Sequence, residues 1–405
     1  MEKIQLSDEQ EEAVKTALSG RNMFLTGKAG TGKSTCLREI VKRLKDRGRN
    51  VVKLGTTGIA ALNVEGATMH SFFSIPIKRN GVIIPDDCHF VKGDKRKMWQ
   101  RTHVVIIDEV SMLRADVLDA IEWTLNKNGG QSLLDMQIIF VGDLKQLPPV
   151  VTEVDNFQKS YKDEFLLSSY VWGDLNVQEV YLKTVHRQKD PEYLNNLNKV
   201  RETGKTTPYF DQFKVSKDDH KGIVLCPYRA TVDEYNRRRL ARVSTNKRMY
   251  FPKTEGNIDL RHYNIPDKLT LKSGARVMST YNNKDKGLAN GSIGTLRIEE
   301  GETELNDKLF FVFDGEEKKE VSIETAEFKK TIYVYNEKTD SVMPEVVGRV
   351  ICYPLSLAYA LTIHKSQGLT FSEMTVDLNR GCFVDGQLYV ALSRATGPEA
   401  LNLIY

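Results

Sequence analysis

Four short apolar runs, Met23 to Thr26, Val51 to Leu54, Val104 to Ile107 and Gln137 to Val141, recur in the first part of the chain, with helical spacing between them. None alternates strictly with polar residues, so each reads as a strand buried on both faces, as in a parallel sheet covered by helices. From Phe73 to Gln100 the pattern breaks into a basic segment punctuated by Pro and Gly, which reads as an insertion. A second α/β set begins near Arg187, with Gly222 to Pro227 as a strand and the Arg-rich stretch Thr231 to Val243 as its helix. Between Thr280 and Gly348 the texture changes to strand-like runs, Asn290 to Leu296, Leu309 to Phe313 and Thr331 to Tyr335, parted by Gly, Asp and Asn turns. The α/β pattern resumes at Cys352. The expected architecture is α/β, with a first domain over 1–72 and 101–186 that carries an insertion at 73–100. A second domain covers 187–279 and 349–405 and is interrupted by a small all-β module at 280–348.

At 405 residues the chain exceeds one core and suits two or three domains. Lys and Arg number 58 against 54 Asp and Glu, a net charge of +4 that is too small to name a partner. Two local basic runs, Lys92 to Arg101 and Arg237-Arg238-Arg239, could meet phosphates, although such runs are more often solvated faces. The cysteines, Cys36, Cys88, Cys226, Cys352 and Cys382, form no Cys-x-x-Cys pair or metal-ligand spacing, so a reduced, intracellular protein is expected. The stretch Met1 to Gln10 is polar and acidic, unlike a signal peptide, and no apolar run approaches the roughly 18 residues of a membrane span. Neither secretion nor membrane insertion is expected.

The strongest chemical signal is Gly27-Lys28-Ala29-Gly30-Thr31-Gly32-Lys33-Ser34, which fits G-x-x-x-x-G-K-[ST] between the first apolar run and a helical stretch. Glycines let the backbone N–H groups face a polyphosphate, and the helix start adds partial positive charge. Lys33 would reach the outer phosphates and Ser34 would hold Mg²⁺. The candidate nucleotide-binding set here is Gly27, Ala29, Gly30, Thr31, Gly32, Lys33, Ser34 and Thr35, with ATP and Mg²⁺ as the implied ligands.

A second apolar strand ends in Asp108-Glu109, where a P-loop ATPase places a Mg²⁺-binding carboxylate and a general base. Gly142-Asp143-Leu144-Lys145-Gln146-Leu147-Pro148-Pro149-Val150 follows the next strand, which puts Gln146 at the same edge, as a γ-phosphate sensor, a Pro-stiffened hinge or both. Arg187 and Arg394 are the candidates for neutralising charge on the γ-phosphoryl group from the second domain, where bare composition would make each a surface ion pair. Gln10 could pair with the adenine edge, and Ser7 with Gln10 also fits a helix-capping box.

In order and wording these motifs resemble superfamily 1 DNA helicases, most closely the Pif-type (petite integration frequency) family. The resemblance also takes in Gly55 to Asn63, Thr68 to Phe73, Ser111-Met112, Leu361 to Gly368 and Tyr389 to Arg394. It implies two RecA-like P-loop domains with a wedge-like insertion in the first and an SH3-like all-β insertion in the second. ATP would lie between the domains, and single-stranded DNA would be tracked 5′-to-3′ by a monomer.

By the same resemblance Thr56, Thr57, Gly58, His70, Ser71 and Phe72 would meet the strand in the first domain and Thr362, His364 and Lys365 in the second. Gln367 and Gly368 would meet the nucleotide. On composition alone Phe72 and Phe73 read as core residues and His70 is balanced between the two readings. The implied partners are single-stranded DNA and duplex with a 5′ tail, with G-quadruplexes and RNA–DNA hybrids as further candidates. The implied location is the bacterial cytoplasm, at the nucleoid, or the nucleus of a eukaryote, and the implied processes are DNA repair, recombination and telomere maintenance.

The chain departs from the family where Pro-Phe-Gly-Gly is common and it reads Lys127-Asn128-Gly129-Gly130-Gln131-Ser132. A RecD-like helicase and a DNA-stimulated translocase that opens no duplex are the rival readings. Deleting Pro76 to Lys97 is expected to separate the translocase by abolishing unwinding while sparing hydrolysis.

Overall fold

The computed structural model describes residues 6–78, 81–129, 132–151, 154–217, 221–263, 265–283, 285–314 and 319–405. Met1 to Gln5 of the acidic start, Arg79 and Asn80 of the 73–100 segment, and Gly130 and Gln131 of the family departure lie outside them. The chain forms two compact units, 1–187 with 330–347, and 188–329 with 348–405.

The first unit is built on β1 (Met23–Gly27), β2 (Val51–Gly55), β3 (Ala67–Thr68), β4 (Val104–Asp108), β5 (Gln137–Val141) and β6 (Gln178–Leu182). Among the described residues these pair only in parallel, in the order β3-β2-β4-β5-β1-β6. Phe24, Val52, Leu54, Val105, Ile107, Ile138 and Phe140 point to one face and pack with the helix Ala115–Lys127. Their neighbours Met23, Leu25, Val51, Val104, Ile106, Ile139 and Val141 point to the other, under α1 (Asp8–Leu18) and α2 (Lys33–Asp46). With both faces covered, most positions in the central strands are apolar, which is why the runs do not alternate. Gly27 stands opposite Leu182, and Asp108 opposite both Gly55 and Val141. Since Leu25 stands opposite Val141, β1 and β6 run two residues past the level ends of β2, β4 and β5, and the carboxyl ends of all five lie on one edge, where open α/β sheets bind ligands.

The segment 73–100 is not an appended module. Phe73, Ile75, Ile83, Cys88, Met98 and Trp99 are all buried in the same core as the sheet, and the Trp99 indole N–H donates to the carbonyl of Phe72 at 3.0 Å. Lys95 Nζ donates to the Ser71 carbonyl and to Ser74 Oγ, each at 2.6 Å, fastening the helix Gly93–Gln100 to the helix Met69–Phe73. Deleting Pro76 to Lys97 would remove Ile83 and Cys88 from that core and the Lys95 contacts with it, so loss of unwinding in the deletion would report damage to the first unit as well as loss of a wedge. Ile77, Ile84 and Phe90 are the exposed apolar side chains of this segment.

The β region departs from its expected boundaries twice. Its five-stranded antiparallel sheet in the second unit takes in Arg276–Ser279 and Leu355–Leu357 as well as Ile293–Glu299, Lys308–Phe313 and Glu320–Ile323, so it extends beyond 280–348 on both sides. The two long strands Ala326–Asn336 and Ser341–Cys352 project a tip, 330–347, that groups with the first unit. There Tyr333 is buried among first-unit core residues, its ring edge-on to Phe72 at 5.8 Å and its hydroxyl accepting the Lys53 N–H at 3.1 Å. Glu337 pairs with Lys97, and Asp340 with Arg101 at 3.0 Å. The second unit also holds a parallel sheet of four strands, in the order Ala360–Thr362, Ile223–Cys226, Met374–Asp377, Leu401–Ile404. No helix among the described residues is long and apolar enough to cross a membrane.

Candidate active site

The loop after β1 winds through glycines whose neighbours leave no room for a side chain. A Cβ on Gly30 would lie 2.6 Å from the Cβ of Arg187, and one on Gly32 would lie 2.7 Å from Nε2 of Gln10. Both sit at φ +82°, in the left-handed region that favours glycine. The loop is thus packed between the segment that follows β6 and the start of α1. His186 N–H closes the contact by donating to the Gly30 carbonyl at 2.8 Å. Gln10 Oε1 accepts the Ser7 N–H at 3.0 Å and Ser7 Oγ accepts the Gln10 N–H at 3.3 Å, so the capping box is formed. That leaves the Gln10 amide nitrogen lying against the phosphate loop.

Within the loop the Lys33 ammonium donates to the carbonyls of Gly27 at 2.7 Å and Lys28 at 3.0 Å. Burial holds it below the usual lysine pKa and Arg187 adds to that, while Asp143, Glu109 and Asp108 pull the other way. Asp143, 1% exposed, was not singled out as a site residue in its own right. Gly142-Asp143 carries its signal in the sequence, in the same turn as Gln146, which is 8% exposed and donates its N–H to the Asp143 carbonyl at 2.9 Å. Thr31 is buried, its hydroxyl on the Lys28 carbonyl, and Ala29 is buried beside it. Ser34 is exposed in the first turn of α2, and Thr35 Oγ1 accepts from Arg38 at 3.2 Å.

Asp108 and Glu109 are adjacent but differ in surroundings and backbone. Burial first, then the charge of Glu109, pushes the Asp108 carboxyl up to about 7, although it accepts the Glu109 N–H at 2.8 Å. Glu109 has φ +55°, a strained backbone for a non-glycine residue, and it ends the strand and opens the turn Val110–Met112. Ser34 and Asp108 offer the hard oxygen donors that Mg²⁺ takes. No cluster of three His, Cys, Asp or Glu able to hold a metal occurs among the described residues.

The first-unit DNA candidates lie on the same edge. Thr56 is 9% exposed and its hydroxyl donates to the Glu109 carbonyl at 3.3 Å. Thr57 caps the helix Gly58–Asn63 by accepting the Ala60 N–H at 3.2 Å. His70 and Ser71 are half-buried. Phe72 corrects the sequence expectation, because it is 2% exposed and held edge-on by Phe73 at 4.7 Å and by Tyr333. Its ring is core, as composition alone suggested, and offers no face to a base.

In the second unit Thr362 Oγ1 accepts the Lys365 N–H at 3.2 Å, His364 is half-buried and Lys365 is exposed. Gly368 has φ +80° in the turn after Gln367. Arg187 does not arrive from this unit. It closes the first, against Gly30. Arg394 is 2% exposed, its guanidinium donating to the Val390 carbonyl at 2.9 Å, to Ser393 Oγ at 2.6 Å and to the Leu369 carbonyl at 3.3 Å. It is therefore occupied inside the second unit in this structure.

A family model described as PIF1-like helicase matches residues 5–205. The chain is 30% identical to an ATP-dependent DNA helicase Pif1 of Campylobacter jejuni, with 94% of this chain and 88% of that protein aligned. It is 32% identical to the ATP-dependent DNA helicase PIF1 of Emericella nidulans over 95% of its own length, but spans only 58% of that relative. Among solved structures, Pif1 of a Bacteroides species in complex with ADP-AlF4 matches with a TM-score of 0.86 at 31% identity, covering 99% of this chain and 92% of that one. Bacteroides Pif1 bound to single-stranded DNA matches at 0.67 and 30%, with the same coverage.

Proposed function

Because the chain belongs to the PIF1-like helicase family, we propose that it is an ATP-dependent DNA helicase that moves 5′-to-3′ along single-stranded DNA and opens duplex ahead of it. The observation that carries this reading is the meeting of Lys33 with Asp108, Glu109 and Asp143 at the carboxyl edge of the first sheet, beside a loop built to admit phosphates. On binding ATP, Lys33 exchanges the carbonyls of Gly27 and Lys28 for phosphate oxygens, and the loop N–H groups take the rest. Glu109, aimed by its strained backbone, accepts the proton of the attacking water. Ser34 and Asp108 would hold Mg²⁺, which when bound offsets charge on the phosphates.

Arg187, fixed against Gly30, neutralises charge developing on the γ-phosphoryl group from within the phosphate-binding unit, and Gln146 senses that group from the turn after β5. Arg394 is the second candidate for neutralising that charge, and its present partners are Val390, Ser393 and Leu369. Thr56 ties the DNA side to the chemistry, since a strand phosphate that draws on its hydroxyl takes it from the Glu109 carbonyl.

The test is strand displacement with ATP and Mg²⁺ on duplexes carrying either a 5′ or a 3′ single-stranded tail, with Glu109→Gln as control. Unwinding of the 5′-tailed duplex alone, reduced about a hundredfold or more in the control, is the expected result. Opening from the 3′ tail overturns the direction. DNA-stimulated hydrolysis with neither duplex opened replaces the helicase with a translocase. Running a G-quadruplex and an RNA–DNA hybrid beside them ranks the substrates.

A further inference from the structure

Arg187 and Gln188 are consecutive, yet they belong to different units. Arg187 packs on Gly30 of the phosphate loop, and Gln188, 1% exposed, opens the second unit. The Gln188 side-chain nitrogen donates to the carbonyls of Ser393 and Ala395, each at 2.9 Å, and so grips the chain on both sides of Arg394. The buried Tyr193 adds to the grip by donating its hydroxyl to the Leu392 carbonyl at 2.7 Å. Asp190 accepts the Tyr193 N–H at 2.6 Å, which starts the helix Pro191–Thr203 directly after this segment.

The helix Gln387–Leu392 ends here, where carbonyls lack partners within the helix, so capping them is one task of Gln188. Packing alone does not account for the residue. Gln188 Oε1 is buried with no hydrogen-bond partner among the described residues, and a methionine would fill the same length without that cost. The backbone of Arg394 is fastened a second time, since its carbonyl accepts the Phe371 N–H at 2.9 Å and the Thr396 N–H donates to the Phe371 carbonyl at 3.1 Å. The guanidinium, by contrast, is held largely by Val390 and Ser393 of its own turn. Arg394 is thus a long side chain on a clamped backbone.

A guanidinium reaches a given point reproducibly only from a fixed backbone, and misplacing such a group by about 1 Å costs on the order of a hundredfold in rate. We propose that Gln188 is a positioning residue for ATP hydrolysis, whose amide sets the backbone of Arg394 and, following Arg187 without a spacer, ties the aim of the two arginines together. The proposal rests on the helicase reading and extends it to a residue that had no part in it. Gln188 acts through Arg394 and not on the nucleotide itself.

The experiment compares the full wild-type chain with Gln188→Met, which keeps the side-chain length and loses the donors, in the presence of oligothymidylate. Should Gln188→Met melt below the assay temperature, Gln188→Asn, a methylene too short to span both carbonyls, takes its place. Hydrolysis should show kcat lowered about tenfold or more, with KM for ATP within about twofold of wild type. A fluorescent ADP analogue, alone and with aluminium fluoride as a mimic of the γ-phosphoryl group in transfer, reads the same split without turnover. Wild type should gain affinity when the fluoride is added, and the variant should keep the affinity for ADP and lose the gain. In an Arg394→Gln chain the Gln188 substitution should cost less than about twofold further, because the group it positions is gone. An unchanged kcat, an equal loss in the Arg394→Gln chain, or an Arg394→Gln chain as active as wild type overturns the positioning role and leaves the helicase reading standing. A wild-type chain that hydrolyses no ATP with single-stranded DNA present overturns that reading and the proposal with it.

Discussion

Burial and the neighbouring Glu109 both oppose ionisation of Asp108, and its carboxyl titrates at about 7 instead of 3.8. A folded pKa above the unfolded one means that the native state holds the extra proton. This carboxyl's contribution to stability is therefore complete below about pH 4 and is lost as pH rises through about 7. Asp108→Asn cannot ionise and should flatten that part of the stability–pH curve in nucleotide-free protein. Only the ionised carboxylate is a good Mg²⁺ ligand, so affinity for a fluorescent Mg²⁺–ATP analogue should climb between pH 5.5 and about 7 and then level off. Glu109→Gln removes the second cause of the shift and should move that midpoint to lower pH. An affinity independent of pH across this range would show that Asp108 does not hold the ion. The phosphate loop is legible as a motif because it needs particular residue types at fixed spacing. Asp143 was harder to see, because a single acidic residue after a strand carries no spacing of its own.

At the scale of elements, β1, β2, β4 and β5 were legible because burial on both faces leaves uninterrupted apolar runs. β6, Gln178–Leu182, has a more mixed sequence at the edge of the sheet and was not read as a strand. The 73–100 segment misled for a related reason. Its buried residues, from Phe73 to Trp99, follow no period, so it looked detachable while supplying core. Tyr333 is the element-scale surprise, since nothing local in Thr331 to Tyr335 announces a partner about 280 residues away. Losing only its hydroxyl, in Tyr333→Phe, should cost about 1 kcal/mol through the Lys53 N–H. Tyr333→Ala should cost about 3 to 5 kcal/mol by opening a hole beside Phe72. Urea unfolding followed by tryptophan fluorescence measures both, and equal midpoints for Tyr333→Ala and wild type would remove this tip from the core.

At the scale of the whole molecule, the α/β pattern of the first unit ends at residue 186, whereas its core draws on 330–347 as well. A fragment spanning 1–187 should therefore melt below the corresponding transition of the full chain and bind a hydrophobic dye at the uncovered Phe72 face. A fragment that melts at the same temperature without binding dye would show that the tip covers nothing that matters. The same feature sets an order in time. A ribosome releases the chain from its first residue, so the six-stranded sheet can assemble once Leu182 is out, but its cover follows only when Val347 has emerged. At ordinary elongation rates that interval is on the order of ten seconds or more, during which the half-made protein displays aromatic surface that no later segment is yet present to cover. Until its own hairpin arrives, the nascent chain leaves the Phe72 face that Tyr333 will cover open to water.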